Sequence, residues 1–417
     1  MSIKKDIWVY AHWKGMLAPE LVGILTLEQI KTKRSFSFTY EKQWLDSKAQ
    51  HLLDPDLSWG SGPQFPGTKQ NFGVFLDSMP DTWGRTLMKR RAALEASEQG
   101  KTAPALHELD FLLGVHDQSR MGALRFKTDP HGDFLDNNLT HPTPPWTSIC
   151  ELQHGAAVVE SADDIEKVKK WLTMLMAPGS SLGGARPKAN VLDEHGQPWI
   201  AKFPSKNDET DKAAWEYLAY RHAVNAGIQM APCKLQKIAG KYHTFFTQRF
   251  DREKTDRIHF ASAMTMTGNN EEKLKDNPAS YLDMAEVIQY NGAPNHIKED
   301  LHQLWRRLVF NILISNTDDH LRNHGFLFTD QGWRLSPAFD INPSIDKAGL
   351  ALNIDMDSNA LDLSLARSVG EYFNLDDNEM NQIIAEVTAS VSKWQIIAAE
   401  IGIPRQEQLL MGAAFKH

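Results

Sequence analysis

The segment Ile314-Ser-Asn-Thr-Asp-Asp-His-Leu-Arg-Asn-His-Gly-Phe326 and the later stretch Pro337-Ala-Phe-Asp-Ile-Asn342 point most directly to a fold and an activity. The first segment is dense in polar residues, although apolar runs flank it on both sides. Four residues, 319–322, separate its Asp318 from its Asn323, and Asp340 lies in the later stretch. A polar cluster of this density needs a ligand or many local hydrogen bonds to satisfy its polar groups.

This spacing is typical of the catalytic loop of protein kinases, which has the form H-R-D-x-x-x-x-N. In such a loop the aspartate accepts the proton of the attacking hydroxyl, and the asparagine helps to hold magnesium. We therefore interpret Asp318 as the catalytic base and Asn323 as a magnesium ligand. Asp340, within Phe-Asp-Ile, takes the place of the aspartate of a D-F-G motif and supplies further metal coordination. The pattern predicts ATP- and Mg²⁺-dependent phosphoryl transfer.

The neighbouring polar residues of the loop allow more than one interpretation. Asp319 adjoins Asp318, so one of the two must face elsewhere, and the spacing to Asn323 favours Asp318 as the base. Asp319 is then expected to cap, to orient the loop or to bind a second ion. His320 and Arg322 either orient the loop or shield phosphate charge, and a hydrogen bond within the loop is the alternative for His320.

The composition is that of an ordinary soluble globular protein. The 417 residues suffice for two or three domains, with 41% hydrophobic and 24% charged residues. The formal net charge of −8 argues against a dedicated nucleic-acid-binding protein. The two cysteines, Cys150 and Cys233, lack metal-ligand spacing, which favours a reduced environment. Without an apolar N-terminal region or a membrane-length apolar run, we expect a cytoplasmic location and no membrane contact.

The first part of the chain alternates apolar runs with turn signals. These patterns predict strands at 8–12, 21–25, 35–40 and 121–126, and helices at about 74–93 and 105–113. A stretch rich in Pro, Asn, Asp and Gly follows at about 127–146 and indicates a linker. Beyond it we predict a helix at 162–175, a hairpin at 189–203, a helix at 211–226, a hairpin at 233–249 and a largely helical remainder.

A Gly-rich stretch, 178–188, precedes the first predicted hairpin. Its Gly179, Gly183 and Gly184 lack the spacing of a Walker A or Rossmann motif. Such a stretch is often a simple turn, but its position favours a flexible backbone that lies over ATP phosphates. Lys188 at its end is expected to help in ATP binding.

Lys202 lies in the second strand of that hairpin and is predicted to bind ATP phosphates. Glu216 in the following helix is its expected ion-pair partner, as in the Lys–Glu pair of kinases. The competing acidic residues are Asp208, Glu209 and Asp211. A lysine that points to solvent is the structural alternative.

The end of the second hairpin, with Gln248 and Phe250, falls where a kinase hinge meets adenine. A solvent-exposed polar strand end is the alternative interpretation of the same residues. The order of elements predicts an α+β, bilobal protein-kinase-like fold with a β-rich N-terminal subdomain and an all-helical C-terminal lobe. The predicted domains are a subdomain at 1–128, a linker at 129–147, an N-lobe with the Gly-rich loop and hinge at 148–250, and a C-lobe with the catalytic loop at 251–417.

Taken together, these motifs resemble the HipA family of bacterial serine/threonine kinases, the toxins of HipBA-type toxin–antitoxin modules. The resemblance covers nearly the whole chain. It rests on Phe75-Leu-Asp-Ser-Met-Pro-Asp-Thr-Trp83, Met121-Gly-Ala-Leu-Arg-Phe126, Ser181-Leu-Gly-Gly-Ala-Arg-Pro-Lys188, Lys202-Phe-Pro204, Gln248-Arg-Phe-Asp-Arg252, Thr317-Asp-Asp-His-Leu-Arg-Asn323 and Ala338-Phe-Asp-Ile341.

The resemblance implies a growth-arresting toxin that uses ATP and Mg²⁺. The family pattern S-x-x-G-x-x-x-K places autophosphorylation at Ser181, with Ser180 as its neighbour, and Arg186 stands where the best-known members have Gln. The implied partners are a HipB-like helix-turn-helix antitoxin, operator DNA contacted mainly through that antitoxin, and a protein substrate such as an aminoacyl-tRNA synthetase.

Two other functions are compatible with these residues. A small-molecule or lipid kinase uses a similar Asp-x-x-x-x-Asn loop, and would place phosphate on a metabolite. A non-catalytic co-repressor in an antitoxin–DNA complex would use ATP only for structure, and its function would not depend on Asp318.

Overall fold

The computed structural model describes residues 2–31, 33–46, 52–137, 143–161, 169, 171–172, 174–175 and 184–415. The chain divides into two compact units. The N-terminal unit comprises Met1–Lys206 and Asp251–Ala261, and the C-terminal unit comprises Asn207–Phe250 and Ser262–His417.

The N-terminal unit is built on an antiparallel sheet. Its four strands lie in the order Lys33–Tyr40, Glu20–Ile30, Ser2–Ala11, Leu124–Lys127. Alternating side chains of these strands are buried, which is typical of a sheet with one face on the core. The predicted strands are confirmed, and the first two are longer than the sequence suggested because polar residues continue their pairing.

The helices of the N-terminal unit partly follow the prediction. They are Lys42–Leu45, Gly73–Leu76, Thr82–Glu98, Glu108–Leu113 and Ile149–Ser161. The single helix predicted at 74–93 is wrong. Asp81 starts a new helix there, because its side chain accepts a hydrogen bond from the backbone N–H of Gly84 at 2.8 Å. Most of the helix predicted at 162–175 lies outside the described residues.

The first hairpin pairs Lys188–Leu192 with Pro198–Lys202 in antiparallel register, as predicted. The short strands Arg252–Glu253 and Asp256–Arg257 also pair within the N-terminal unit, and Phe260–Ser262 is a further strand.

The N-terminal unit extends past the predicted linker at 129–147, and it also includes residues 251–261, which directly follow the predicted boundary at 250/251. Asp251 accepts a hydrogen bond from the backbone N–H of Gly122 at 2.8 Å. Arg257 donates to the carboxylate of Asp117 at 3.0 Å. These polar contacts attach residues 251–261 to the region around the N-terminal sheet. Local sequence patterns instead assign these residues to the helical part that follows.

The C-terminal unit begins with the helix Lys212–Asn225, followed by Gly227 with a positive φ, as expected past a helix end. The second hairpin pairs Cys233–Gln236 with Thr244–Gln248. The longer helices that follow are Tyr281–Asn291, Ile297–Leu313, Asp377–Val391 and Trp394–Ile401, and the shorter ones are Ala263–Met266, Lys273–Asp276, Leu363–Ser368 and Arg405–Met411.

Two features of the C-terminal unit position the candidate site. The helix Ile297–Leu313 buries the apolar residues whose spacing predicted it, namely Leu301, Leu304, Trp305, Leu308 and Ile312. A third hairpin, Gly325–Thr329 with Gly332–Leu335, follows the polar loop. The C-terminal part is therefore mostly helical but not all-helical, because this loop returns through a hairpin.

No helix among the described residues is long and apolar enough to cross a membrane.

Candidate functional site

The polar loop of the C-terminal unit connects the helix Ile297–Leu313 to the third hairpin. Just past the helix, Ser315 has a φ of +50°, and the backbone N–H of Asn316 returns to the carbonyl of Asn311 at 2.8 Å. A short 3-10 helix, Leu321–Asn323, closes the loop. We call residues 314–324 the catalytic loop, after the role predicted above for Asp318 and Asn323.

The two adjacent aspartates of this loop face opposite environments. The side chain of Asp318 is 74% exposed, and its carboxylate lies 3.6 Å from Nζ of Lys347. The side chain of Asp319 is 3% exposed, accepts a hydrogen bond from the hydroxyl of Tyr281, and lies 2.8 Å from Nε2 of His324. The carboxylate of Asp318 is therefore accessible from solvent, whereas that of Asp319 is not.

Asp319 acts as an anchor of the loop. Burial raises the pKa of its carboxyl, but His324 and the Tyr281 hydroxyl outweigh that effect and hold the pKa below its usual value. Burial, with the Asp319 charge beside it, raises the pKa of Tyr281 well above its usual value. The phenol therefore stays protonated and continues to donate to Asp319.

A buried chain of hydrogen bonds continues from Tyr281. Nδ2 of Asn311 donates to the Tyr281 hydroxyl at 3.0 Å, and Nδ2 of Asn316 donates to Oδ1 of Asn311 at 3.1 Å. The backbone N–H of Asn342 donates to Oδ1 of Asn316 at 3.4 Å. This polar chain joins the catalytic loop to the segment that carries Asp340, so the two parts of the predicted metal site are held by one network.

The residues predicted to bind magnesium offer oxygen ligands of the right kind. Nδ2 of Asn323 donates to the carbonyl of Asp318 at 3.1 Å, while its buried Oδ1 accepts no hydrogen bond from any described residue. Asp340 is half-buried and has a φ of +58°, a conformation that costs energy and is often found at functional sites. Mg²⁺ prefers carboxylate and amide oxygens, so these two side chains fit the ion.

Two other residues of the catalytic loop have different surroundings. Nε of Arg322 donates to Glu271 at 3.0 Å in an exposed ion pair. Nδ1 of His320 is buried without a hydrogen-bond partner among the residues described. The internal hydrogen bond considered for His320 is therefore not made through this atom.

The predicted hinge residues lie at the end of the second hairpin. The backbone N–H of Gln248 donates to the carbonyl of Pro232 at 2.9 Å. The ring of Phe250 packs at 5.4 Å between centroids against Phe339, which directly precedes Asp340. This contact places the end of the hairpin beside the segment that carries Asp340, within the C-terminal unit.

Glu216 is buried in the helix Lys212–Asn225. Of its competitors, Asp211 caps that helix by accepting from the backbone N–H of Ala214 at 3.1 Å, and its carboxylate lies 2.6 Å from Nδ1 of His243. The proposed ion pair of Glu216 with Lys202 stays a prediction, because the two residues belong to different units.

In the N-terminal unit, Lys188 and Lys202 are buried at facing positions of the first hairpin. Nζ of Lys188 donates to Oδ2 of Asp81 at 2.7 Å, and the side chains of Lys188 and Asp81 are 3% and 5% exposed. Gly184 has a φ of +90°, which favours glycine there. The predicted residues Ser180, Ser181 and Gly183 lie outside the described residues.

Sequence reasoning missed several residues that organise these sites, namely Asp81, Tyr281, Asn311, Asn316 and His324. Asp81 lies in a quoted motif, but nothing in its neighbourhood indicated Lys188 as its partner. Tyr281 is the first residue of another helix. The contacts of Asp81 and Tyr281 join distant parts of the chain, and a single sequence carries no signal for them. The contacts of Asn316 and His324 are each made over five residues of the chain.

Comparisons with known proteins show which family the chain resembles. The family model described as the HipA-like C-terminal domain matches residues 180–394. The protein named "Putative kinase Y4mE" of Sinorhizobium fredii is 25% identical over 153 residues, covering 35% of this chain and 34% of that protein. One named "Putative kinase" of Haemophilus influenzae is 27% identical over 181 residues, covering 39% of this chain and 52% of that protein. The chain thus spans about a third and about half of these relatives.

Among solved structures, HipA of Shewanella oneidensis, determined with HipB and its operator DNA, superposes with a TM-score of 0.65 at 18% identity. The match covers 98% of this chain and 94% of that chain. It confirms the predicted HipA-like fold of mixed helices and strands. With the family model matching just over half of its residues, the chain belongs to the HipA family.

Proposed function

We propose that this chain is an ATP- and Mg²⁺-dependent serine/threonine protein kinase that acts as the toxin of a type II toxin–antitoxin system. The observation that carries the proposal is the arrangement around Asp318. Asp318 has an exposed carboxylate, and its backbone carbonyl accepts a hydrogen bond from Asn323, whose buried Oδ1 accepts none from the described chain. One network connects this loop to the segment of Asp340.

The roles of these side chains follow from their chemistry. Asp318 would orient the attacking hydroxyl and accept its proton as the hydroxyl oxygen bonds to the γ-phosphorus of ATP and the bond from that phosphorus to the bridging oxygen breaks, releasing ADP. Asn323 and Asp340 would hold Mg²⁺, which neutralises phosphate charge when it is bound. Nδ2 of Asn323 also holds the carbonyl of Asp318 at 3.1 Å, which limits movement of the base. Lys202 would pair with ATP phosphates, and Glu216 would orient Lys202.

The hydroxyl of Ser181, with Ser180 as its neighbour, is the proposed site of autophosphorylation. A phosphoserine adds roughly −1.5 to −2 charges at neutral pH. In a loop that lies over ATP phosphates, this charge would repel the nucleotide, so modification would switch the kinase off. Calorimetry should find much weaker ATP binding by protein phosphorylated at Ser181 than by unmodified protein, and equal affinities would refute the self-inhibition.

The proposed partners come from the family and not from a site on this chain. HipA of S. oneidensis was solved with HipB and operator DNA. We propose a HipB-like helix-turn-helix antitoxin as the partner here, with DNA contacted mainly through it, and an aminoacyl-tRNA synthetase or another translation component as the substrate. Phosphoproteomics after brief expression of the wild type and of Asp318→Ala would identify the substrate.

Incubation with labelled ATP and Mg²⁺ tests the kinase activity. Wild-type protein should incorporate label, and Asp318→Ala should not. Asp330→Ala is the matched control, because Asp330 is an exposed aspartate in the turn of the third hairpin. Label retained by Asp318→Ala would contradict the proposal.

The same reaction separates the alternatives. Phosphate found on a small molecule or lipid and never on protein would identify a metabolite kinase. Toxicity and repression that persist unchanged in Asp318→Ala would identify a non-catalytic co-repressor.

A further inference from the structure

The base of the Gly-rich loop is attached to the start of a helix in the N-terminal unit. Asp81 caps the helix Thr82–Glu98, with its Oδ1 accepting from the backbone N–H of Gly84 at 2.8 Å. Its other oxygen, Oδ2, accepts from Nζ of Lys188 at 2.7 Å. One carboxylate therefore satisfies both a helix end and a buried ammonium.

Further hydrogen bonds join the same two segments. Nε1 of Trp83 donates to the carbonyl of Lys188 at 3.1 Å. The carbonyl of Gly184 accepts from the backbone N–H of Trp83 and from Nζ of Lys188, each at 3.4 Å. Residues 184 and 188 are thus both held by residues 81–83, and we call this set of contacts the loop clamp.

The charge of Lys188 makes Asp81 important. Lys188 faces Lys202 across the first hairpin, so the two side chains lie on the same face of the sheet. Like charges at facing positions repel each other. Asp81 draws the ammonium of Lys188 toward the helix start and neutralises it. Removing this carboxylate would take an ion-pair partner from a buried ammonium, and a buried charge with less compensation is costly.

We propose that Asp81 is a positioning residue for the nucleotide site, acting through Lys188 to hold the base of the Gly-rich loop. This inference rests on the proposed function, since it assumes that the loop covers ATP phosphates. Residues 81–83 then contribute to nucleotide binding indirectly, through the loop clamp.

The substitution Asp81→Asn isolates this role. Asparagine is an equally good N-cap, so Oδ1 can still accept from Gly84, while the charge opposite Lys188 is lost. Asp376→Asn is the matched control. Asp376 caps the helix Asp377–Val391 by accepting from Glu379 at 2.8 Å, and its side chain has no buried lysine beside it among the contacts described.

The experiment is a double-mutant cycle on the full chain with Asp81→Asn, Lys188→Met and the double variant. ATP affinity with Mg²⁺ is measured by calorimetry, and autophosphorylation kinetics give KM for ATP and kcat. Asp81→Asn should weaken ATP binding by about tenfold or more, because misplacing a binding group is costly. The change should appear in KM, with kcat at saturating ATP altered by less than about twofold. In the Lys188→Met background, Asp81→Asn should have no further effect.

The outcomes separate this inference from the proposed function. Wild-type protein that does not bind ATP overturns both. Wild-type protein that binds ATP, with Asp81→Asn binding equally well or more tightly, overturns only the positioning role. Full additivity of the two substitutions would show that Asp81 does not act through Lys188.

A second variant covers the case in which Asp81→Asn does not fold. Trp83→Phe removes the hydrogen bond from Nε1 to the carbonyl of Lys188, together with part of a buried ring. It should weaken ATP binding by a few-fold, in line with one hydrogen bond of about 1 kcal/mol. Unchanged ATP affinity in Trp83→Phe would count against the loop clamp.

Discussion

Each of the two units buries an aspartate beside a cationic or basic side chain, and the two pairs are built differently. In the catalytic loop, Asp319 meets His324 five residues along the chain. In the loop clamp, Asp81 meets Lys188 after 107 residues. The first pair organises one loop and leaves its neighbour Asp318 exposed for chemistry. The second joins separate segments, so its effect depends on how the whole N-terminal unit folds.

The two carboxyl groups also differ in the balance of forces on their protons. Burial raises the pKa of both. At Asp319, His324 and Tyr281 outweigh burial, and the pKa is lowered. At Asp81, burial outweighs Lys188 and the helix N–H groups, and the pKa is raised. A buried aspartate therefore stabilises its surroundings only to the extent that its partners compensate for the hydration that its carboxylate loses on burial.

The largest expected effect concerns chemistry in the C-terminal unit. Asp340→Asn should lower phosphoryl transfer by about 10³-fold, because a metal ligand contributes several kcal/mol to transition-state stabilisation. Autophosphorylation rates measured across a Mg²⁺ titration would show it, with Asp330→Asn as the control. A loss of less than tenfold would indicate that Asp340 is not a metal ligand.

The next effect distinguishes the two adjacent aspartates. Asp319→Ala should lower the free energy of unfolding by about 3 kcal/mol, because it leaves buried His324 and the Tyr281 hydroxyl without their acceptor. Asp318→Ala should leave it nearly unchanged, since that side chain is 74% exposed. Urea unfolding followed by circular dichroism measures both. Similar urea unfolding midpoints for the two variants would contradict the assignment of Asp319 as a structural anchor and of Asp318 as an exposed base.

The pH dependence of stability should have opposite signs at the two sites. Asp319 has a lowered pKa in the folded state, so its contribution is present above the unfolded-state pKa of about 3.9 and is lost as pH falls through the folded pKa. Asp81 has a raised pKa, so its contribution is present below about 3.9 and is lost as pH rises through the folded pKa.

Unfolding free energies measured between pH 3 and pH 6 in wild type, Asp319→Asn and Asp81→Asn test these signs. Relative to wild type, Asp319→Asn should lose less stability on acidification, and Asp81→Asn should lose less as pH rises. Parallel profiles for the three proteins would contradict the assignment of opposite shifts.

The smallest effect concerns the polar chain. Tyr281→Phe removes a hydroxyl that donates to Asp319 and accepts from Asn311, and should cost about 1 kcal/mol of unfolding free energy. It should also lower kcat modestly, because the chain links the catalytic loop to the Asp340 segment. Tyr290→Phe is the control, since Tyr290 is 78% exposed. Equal free energies of unfolding for the two variants would show that the hydrogen bonds of the Tyr281 hydroxyl add nothing to stability.

Much of this architecture was predictable from local patterns. The spacing of Asp318 and Asn323, the apolar face of the helix Ile297–Leu313 and the paired strands of the hairpins are short-range features that repeat with known periods. The helix that the pattern extended across Pro80 was wrong, because the capping geometry at Asp81 overrides apolar spacing. Local patterns also carry no signal for the place of residues 251–261 in the N-terminal unit, because polar contacts to distant residues hold them there.

By itself the sequence determined the catalytic-loop motif, the order of the elements and the likeness to the HipA family, because spacing along the chain directly encodes them. Only the tertiary structure decided which aspartate is exposed, which atom of Asn323 lacks a hydrogen bond among the described residues, and that Asp81 holds Lys188. Burial and partner choice depend on distances between segments far apart in sequence. The identity of a residue sets the chemistry it can perform, and its folded surroundings decide whether that chemistry is used for catalysis or for holding the site together.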